Sequence, residues 1–268
     1  MKITTLRNAT LMLEWETNAE PVALLVDPML AARAALPRLR FLGGTARRNP
    51  LVDLPAGADD QLDRTTHALI THCQRGHFDH LDRAGRRFLR ERRTPVFCAP
   101  GDAPWLAQRG LQVAPLAAGG RQPFLGGHVS AVPCVHGRGW IGRLMAHGVG
   151  WFIEIPGEPS IYIAGDTVLT DDVKRFLSDH RPDVAILPAG GARFDLGGEI
   201  LMDAHDVCAA ARLTDGIVIA NHLEALDHCP VTRECVRQLA DAAGSGIGSR
   251  VKVPLDGESM RYVVPNPA

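Results

Sequence analysis

Short apolar runs rich in β-branched residues recur along the whole chain and constrain its fold more than any other feature. Each run begins and ends next to turn-forming residues, which is typical of β-strands. The predicted strands are Leu11–Trp15, Val22–Val26, Ala68–Thr71, Val96–Cys98, Val129–Val135, Val149–Ile155, Ile161–Ala164, Val184–Leu187, Ile217–Ala220 and Arg250–Val253. The predicted helices between them are Leu81–Glu91, Ala103–Arg109, Asp171–His180, Asp203–Leu213 and Val231–Ala243. This order of elements predicts an α/β fold in which helices cover the faces of sheets.

The size of the chain favours a single domain. Its 268 residues lie close to the size at which single cores stop growing, so we expect one domain over residues 1–268. A hydrophobic fraction of 46% with 22% charged residues excludes wholesale disorder. The segment Leu36–Asp59 is the longest irregular stretch. We expect a surface excursion there, with a lid or substrate loop as the alternative.

Charge and hydropathy narrow the range of partners. The 29 Lys and Arg residues nearly balance the 30 Asp and Glu residues, so we expect no nucleic-acid partner. No apolar stretch approaches the roughly 20 residues needed to cross a bilayer, and the amino terminus does not resemble a secretory signal. We therefore expect no membrane association. The six cysteines form no dense framework, which is typical of reduced thiols and predicts a cytoplasmic location.

Five of the predicted strands have a His or an Asp at their carboxyl end, either directly after the strand or one residue further on. The residues that follow these strands are Asp27, His72, His136, Asp166 and His222. Open α/β sheets place their ligands at the carboxyl ends of strands. Imidazole and carboxylate groups are ligands of zinc and of neighbouring transition metals. The recurrence therefore predicts a metal centre at a sheet edge.

The segment 68–82 is the richest of these strand ends. Its apolar strand runs into His72, His77, Asp79, His80 and Asp82. Isolated histidines are more often surface or core residues, and either aspartate could simply cap the following helix. The same arrangement at four other strand ends favours metal ligation.

The order of these residues resembles that of the metallo-β-lactamase-fold hydrolases, and within them the branch similar to ascorbate-phosphate lactonases. That family carries a Thr-His-x-His-x-Asp-His signature after a strand, then a lone His, a Gly-Asp-Thr-like aspartate and a final His. The matching residues are His72, His77, Asp79, His80, His136, Asp166 and His222. The resemblance implies a four-layer αβ/βα sandwich with a one- or two-metal site along the shared edge of two sheets.

The spacing of the signature departs from the family pattern and leaves two registers open. His72 and His77 are five positions apart where the family has two. In the favoured register the loop between them is three residues longer, and all the ligands are kept. In the competing register Gln74 and Gly76 replace a His and an Asp, His77 is the closing histidine, and two ligands are lost.

Under the favoured register the resemblance implies two ligand sets. His72, His77 and His136 would bind one ion, Asp79, His80 and His222 the other, and Asp166 would bridge them. Two zinc ions are expected, with manganese or iron as alternatives. Asp79 is also the predicted catalytic residue, because it could orient the attacking hydroxide or carry its proton. Asp27 is expected to hold the ligand loops.

These features predict a metal-dependent hydrolase that uses a metal-bound hydroxide on an ester-type bond, a lactone or a phosphodiester, of a small-molecule substrate. Arg75 beside the ligands suggests an anionic substrate group. One alternative is a degenerate protein of the same fold that binds a ligand or a metal through an altered site. A metal-supported redox enzyme is another. Assembly into a homo-oligomer is compatible with the apolar, loop-rich surface.

Arginines crowd one face of the helix after the metal loop. They are Arg83, Arg86, Arg87, Arg90 and Arg93. Because the total charge is near neutral, we expect a solvated helix face here.

Overall fold

Two seven-stranded sheets form the centre of the computed structural model, which describes residues 1–41, 47–74, 77–145 and 148–264. The strands are β1 (Lys2–Arg7), β2 (Thr10–Trp15), β3 (Val22–Val26), β4 (His67–Leu69), β5 (Pro95–Cys98), β6 (Gln112–Pro115), β7 (Arg121–Phe124), β8 (Gly127–Pro133), β9 (Val149–Glu154), β10 (Ile161–Ile163), β11 (Val184–Pro188), β12 (Ile217–Asn221), β13 (Val251–Lys252) and β14 (Ser259–Arg261). The helices are α1 (Ala58–Asp63), α2 (Arg83–Glu91), α3 (Ala103–Ala107), α4 (Gly139–Leu144), α5 (Asp171–His180), α6 (Ala204–Ala210), α7 (Arg233–Ala242) and α8 (Ser245–Gly248).

The two sheets are built in the same way. The first has the order β14-β1-β2-β3-β4-β5-β6, and the second has the order β13-β12-β11-β10-β9-β8-β7. In the first sheet, strands β3 to β6 run parallel, and in the second, strands β10 to β13 run parallel. The remaining pairs are antiparallel. Each sheet therefore has a run of parallel strands whose carboxyl ends meet at one edge.

Three apolar layers hold the sandwich together. The inner faces of the sheets share one core, which includes Leu13, Leu24, Trp151 and Ile186. A second core joins the outer face of the first sheet to α1, α2 and α3, and a third joins the outer face of the second sheet to α5, α6, α7 and α8. The layers run helix, sheet, sheet, helix. The predicted four-layer αβ/βα sandwich is confirmed.

Most predicted elements are present, and their ends differ for local reasons. The strand Val22–Val26 has the predicted bounds. Helix α2 begins at Arg83, two residues later than predicted. The Asp82 side chain causes this shift, because it accepts a hydrogen bond from the Gly85 backbone at 2.7 Å and so caps the first turn.

Four strands and three helices were not predicted. They are β1, β6, β7, β14, α1, α4 and α8. Strand β1 was not predicted because Thr4 and Thr5 are buried on opposite faces of the strand. This removes the alternation of apolar and polar residues that is typical of a half-exposed strand. The described part of Leu36–Asp59 has no helix or strand before Ala58, apart from one bridge between Leu36 and Asn49.

None of the helices in the described ranges has the length and apolar character needed to cross a bilayer.

Candidate metal centre

The predicted site residues follow strands of both sheets. Asp27 comes directly after β3 and His222 directly after β12. The three others each lie three residues past a strand, namely His72 after β4, His136 after β8 and Asp166 after β10. Since all five lie at strand carboxyl ends, packing of the sheets brings them to one shared edge.

Three buried histidines form the first group of ligand atoms. The Nε2 atom of His72 lies 3.1 Å from Nδ1 of His77, and the rings of His77 and His136 have their centroids 5.0 Å apart. One ring nitrogen from each of the three lies within 4.8 Å of the others. Three imidazole nitrogens at this separation can converge on one cation.

Two carboxylates and two histidines form the second group, which comprises Asp79, His80, Asp166 and His222. The Oδ2 atom of Asp79 lies 3.3 Å from Nε2 of His222 and 3.8 Å from Nε2 of His80. All four side chains are buried. This group offers nitrogen and oxygen donors of the kind that a divalent transition metal accepts.

Asp166 faces both groups. Its Oδ2 atom lies 3.8 Å from Nε2 of His72 and 3.4 Å from Nε2 of His136, both in the first group. The same oxygen lies 3.1 Å from Nε2 of His80, and Oδ1 lies 3.6 Å from Nε2 of His222. One carboxylate can thus reach cations in both groups.

The Nδ1 atoms of His80 and His136, on the sides of the rings away from the centre, are held in place by neighbouring groups. Asp27 Oδ2 lies 2.8 Å from His80 Nδ1, and the Asp27 carboxylate also accepts from the Thr71 amide at 2.8 Å and from its hydroxyl at 2.6 Å. The Ile200 carbonyl lies 2.9 Å from His136 Nδ1. Since Nδ1 of His80 and of His136 is engaged in this way, the Nε2 atom of each of these two rings points towards the centre. Asp27 makes the supporting contacts that the sequence predicted.

Three buried polar atoms in the middle of the site make no hydrogen bond to any residue in the described ranges. They are Nε2 of His80, Nε2 of His222 and Oδ1 of Asp166. Leaving such atoms buried and unsatisfied costs free energy. A cation between them would satisfy all three, so this donor set fits a metal.

The pKa values of the site histidines shift in opposite directions. Burial lowers the pKa of His77 to about 4, and burial, together with the neighbouring His80 and His77, lowers that of His72 well below its usual value. Burial alone would also lower the pKa of His80, but Asp166, Asp27 and Asp79 outweigh burial and raise it well above the ordinary value. Burial works against the ionised form of Asp166 as well, yet His80 and His222 hold its pKa well below the usual range. A region with such concentrated negative charge favours cations.

Backbone strain is concentrated at the same strand ends. Asp27 and His222 have φ values of 44° and 58°, in the left-handed region that residues other than glycine seldom occupy. Gly165, with φ of 64°, precedes Asp166, and a Cβ atom there would lie 3.1 Å from Cβ of Thr71. The chain adopts these conformations where they direct side chains into the site.

The structure brings His72 and His77 together despite their wide spacing. Their ring nitrogens are in contact, as the longer-loop register requires, and His77 groups with His72 and His136 rather than with the second group. Gly76, and Arg75 with its predicted role in binding an anionic group, lie outside the described residues. Cys134 lies two residues before His136. It donates a hydrogen bond to the Ala164 carbonyl at 2.8 Å, and burial raises the pKa of its thiol.

Two supporting contacts could not be expected from the sequence. Asn8, in the turn between β1 and β2, donates from Nδ2 to the Asp79 carbonyl at 3.3 Å. Cys229 Sγ lies 3.4 Å from Nδ1 of His222. Neither Asn8 nor Cys229 belongs to a recognisable sequence motif. Asn8 contacts Asp79 only because the fold brings together positions that are 71 residues apart.

Comparison with known proteins places the chain in a family. Residues 23–222 match the family described as a beta-lactamase superfamily domain, and the chain belongs to this superfamily. It is 30% identical to a UPF0173 metal-dependent hydrolase of Azorhizobium caulinodans, over 74% of this chain and 77% of the relative. The predicted metallo-β-lactamase-fold hydrolase family is confirmed, and the chain is an enzyme of the metal-dependent hydrolase class.

Two further relatives cover almost the whole chain. UPF0173 protein YddR of Bacillus subtilis is 29% identical over 98% of this chain and 100% of its own length. The crystal structure of an isothiocyanate hydrolase from Delia radicum gut bacteria superposes with a TM-score of 0.85 at 29% identity. That match covers 98% of this chain and 100% of the other. The similarity therefore includes every strand that leads into the site.

Proposed function

We propose that the chain hydrolyses an ester-type bond, in a lactone or a phosphodiester, with two zinc ions bound by His72, His77, Asp79, His80, His136, Asp166 and His222. The observation that carries this proposal is the division of these ligand atoms into two groups that both face Asp166. The nitrogen and oxygen donors favour zinc, with manganese or iron as alternatives. Cytoplasmic location and assembly into a homo-oligomer stay predictions of the sequence.

Hydrolysis needs an activated water molecule and a group that orients this water or accepts its proton. Bound zinc would lower the pKa of water and polarise the substrate oxygen. The Asp79 carboxylate is suited to orient that water, because His80 and His222 keep its pKa low against the effect of burial and so keep it ionised as a hydrogen-bond acceptor. With only 4% of its surface exposed, Asp79 would hold the water where bulk solvent does not compete.

Exposed apolar side chains occur in the segments that flank the site. Five exposed side chains form what we call the apolar rim: Phe41, Val135, Trp140, Leu144 and Leu196. The Ile200 carbonyl contacts His136 of the site at 2.9 Å. The rim segments are also tied to each other, since Arg138 N donates to the Glu199 carbonyl at 3.4 Å and Phe41 N donates to Asp195. A rim of this kind favours a substrate with an apolar substituent.

The apolar rim also supports a second candidate, hydrolysis of an isothiocyanate. One structural relative is named an isothiocyanate hydrolase, and the similarity spans nearly all of both chains. The central carbon of an isothiocyanate is electrophilic, and its organic group is usually apolar. Water would add at that carbon, and the C–N bond would then break to release an amine and carbonyl sulfide.

Metal analysis combined with a substrate panel tests both candidates. We expect two metals per chain in protein purified without chelator, and fewer in Asp166→Ala. The panel contains a γ-lactone, bis(4-nitrophenyl) phosphate and benzyl isothiocyanate, and Asp79→Ala should lose turnover of whichever compound is hydrolysed. Asp172→Ala, at an exposed site on α5, is the matched control and should keep both metal and activity.

Three outcomes decide the matter. Turnover of the lactone or phosphodiester supports the first candidate, and turnover of the isothiocyanate alone supports the second. Metal-free protein whose melting temperature does not respond to chelator would contradict both, and would favour a degenerate site that binds without catalysis.

A further inference from the structure

The arginine face of α2 is largely exposed, as predicted, and it also lines a groove. Its arginines Arg83, Arg86, Arg87 and Arg90 line a cavity of about 660 Å³, and Arg109, just after α3, joins them. Arg93, which the sequence grouped with the others, does not line it. The opposite wall is apolar and consists of Ala31, Ala32, Ala35 and Leu36. A volume of this size suits a small ligand.

The guanidinium groups of this groove make no ion pair with an acidic side chain of the described residues. None of the five arginines forms an ion pair with a carboxylate of the described residues, whereas Arg92 at the end of the same helix pairs with Asp63, and Arg64 pairs with Glu14. Like charges at this density repel one another. A bound anion would remove that repulsion.

The arginine wall is partly fixed in place. The guanidinium carbon of Arg109 lies 3.7 Å from the centroid of the Trp105 ring, and that of Arg86 lies 5.4 Å from the same ring. Burial and the neighbouring Arg109 lower the pKa of Arg86. Both cations are thus held close together by one aromatic side chain.

The apolar wall is anchored to the interior. The buried Arg7 side chain donates to the Met29 carbonyl at 2.6 Å and to the Ala31 carbonyl at 2.9 Å. Asp82 accepts a hydrogen bond from the Ala31 backbone at 2.6 Å. The two walls are therefore joined by residue Asp82, which also caps α2. Such a groove needs little ordering to receive a ligand.

We propose that this groove is a second binding site, separate from the metal centre, for an organic anion with two or more phosphate or sulfonate charges on an apolar body. The arginines supply paired donors for the charged groups. The alanine and leucine side chains contact the apolar body. A single small anion would use only part of this surface.

Calorimetric titration of the metal-loaded protein with naphthalene-1,5-disulfonate tests the proposal. This probe carries two permanent charges on an apolar ring, is not hydrolysed, and binds metals weakly. We expect one site per chain, with affinity about tenfold weaker for the singly charged 1-naphthalenesulfonate and about tenfold weaker again in Arg83→Gln/Arg90→Gln. Arg92→Gln is the matched control on the same helix, and should bind as the wild type does.

The contrary results are distinct. No binding, or an equal loss in Arg92→Gln, would overturn the proposal, since the second result means unspecific attraction to charge. Binding that survives Arg83→Gln/Arg90→Gln but disappears with chelator would place the probe at the metal centre instead. Arginine-dependent capture of an oligonucleotide or of anionic vesicles, with no response to the disulfonate, would also overturn it. Melting curves of each variant verify that it folds.

Discussion

Asp27 Oδ2 lies 2.8 Å from Nδ1 of His80, and this contact fixes which nitrogen of the buried ring faces the metal centre. Asp27 itself has an unfavourable φ of 44° and directly follows the buried strand β3. A role in orienting His80 explains why this residue has a strained backbone and a buried carboxylate.

Replacing Asp27 with Asn should therefore weaken metal binding without removing a ligand. The amide cannot supply the negative charge that favours the Nδ1–H tautomer of His80, so we expect metal affinity to fall about 10- to 100-fold. Competition with a chromogenic chelator measures the change. Asp171→Asn, at an exposed position on α5, is the control. Unchanged affinity in Asp27→Asn would show that the contact does not orient His80.

Removal of metal should lower the melting temperature. Without metal, the buried Nε2 atoms of His80 and His222 have no hydrogen-bond partner among the described residues. Metal at about 100 times its Kd stabilises the folded protein by about 2.7 kcal/mol. For a chain of this size we expect a decrease of about 5–11 °C on chelation. Scanning calorimetry with and without chelator measures it. Readdition of zinc should restore the original value, and a failure to restore it would indicate irreversible unfolding.

Trp151 should be essential to the contact between the sheets. It is fully buried in the core that they share, and its Nε1 donates to the Ile70 carbonyl at 3.2 Å, two residues before His72. We expect Trp151→Ala to lower the free energy of unfolding by about 3–5 kcal/mol. Denaturant titration measures the loss. Trp140→Ala makes the same substitution at a position that is 59% exposed, and should change stability little.

Trp140 should instead affect substrate use, if the apolar rim contacts the substrate. We expect Trp140→Ala to lower kcat/KM about fivefold for substrates with a benzyl group, mainly through KM, because about 1 kcal/mol of apolar contact is lost. Substrates with a methyl group should respond less. Leu255→Ala removes a similarly exposed side chain from the loop before β14 and serves as control. Equal losses for both substrates would exclude a contact with the substituent.

The sequence predicted which side chains converge at the site better than it predicted their surroundings. His136, Asp166 and His222 could be singled out because each follows an apolar strand, and strand ends are visible in local patterns. Cys229 behind His222 and Asn8 behind Asp79 could not, since long-range packing alone makes them neighbours.

The arginines of α2 show the same limit. Their shared helical face and its exposure could be predicted from the sequence, but the groove beside it could not. The apolar wall opposite them comes from residues 31–36, which pack there through Arg7 and Asp82. Helical periodicity identifies a face but not what lies across from it.

A crystal structure with anomalous diffraction data collected at the zinc edge tests the central claim most directly. The expected result is two anomalous peaks on either side of Asp166, one contacted by His72, His77 and His136, and the other by Asp79, His80 and His222. The absence of peaks from crystals grown with zinc, or peaks away from Asp166, would contradict it.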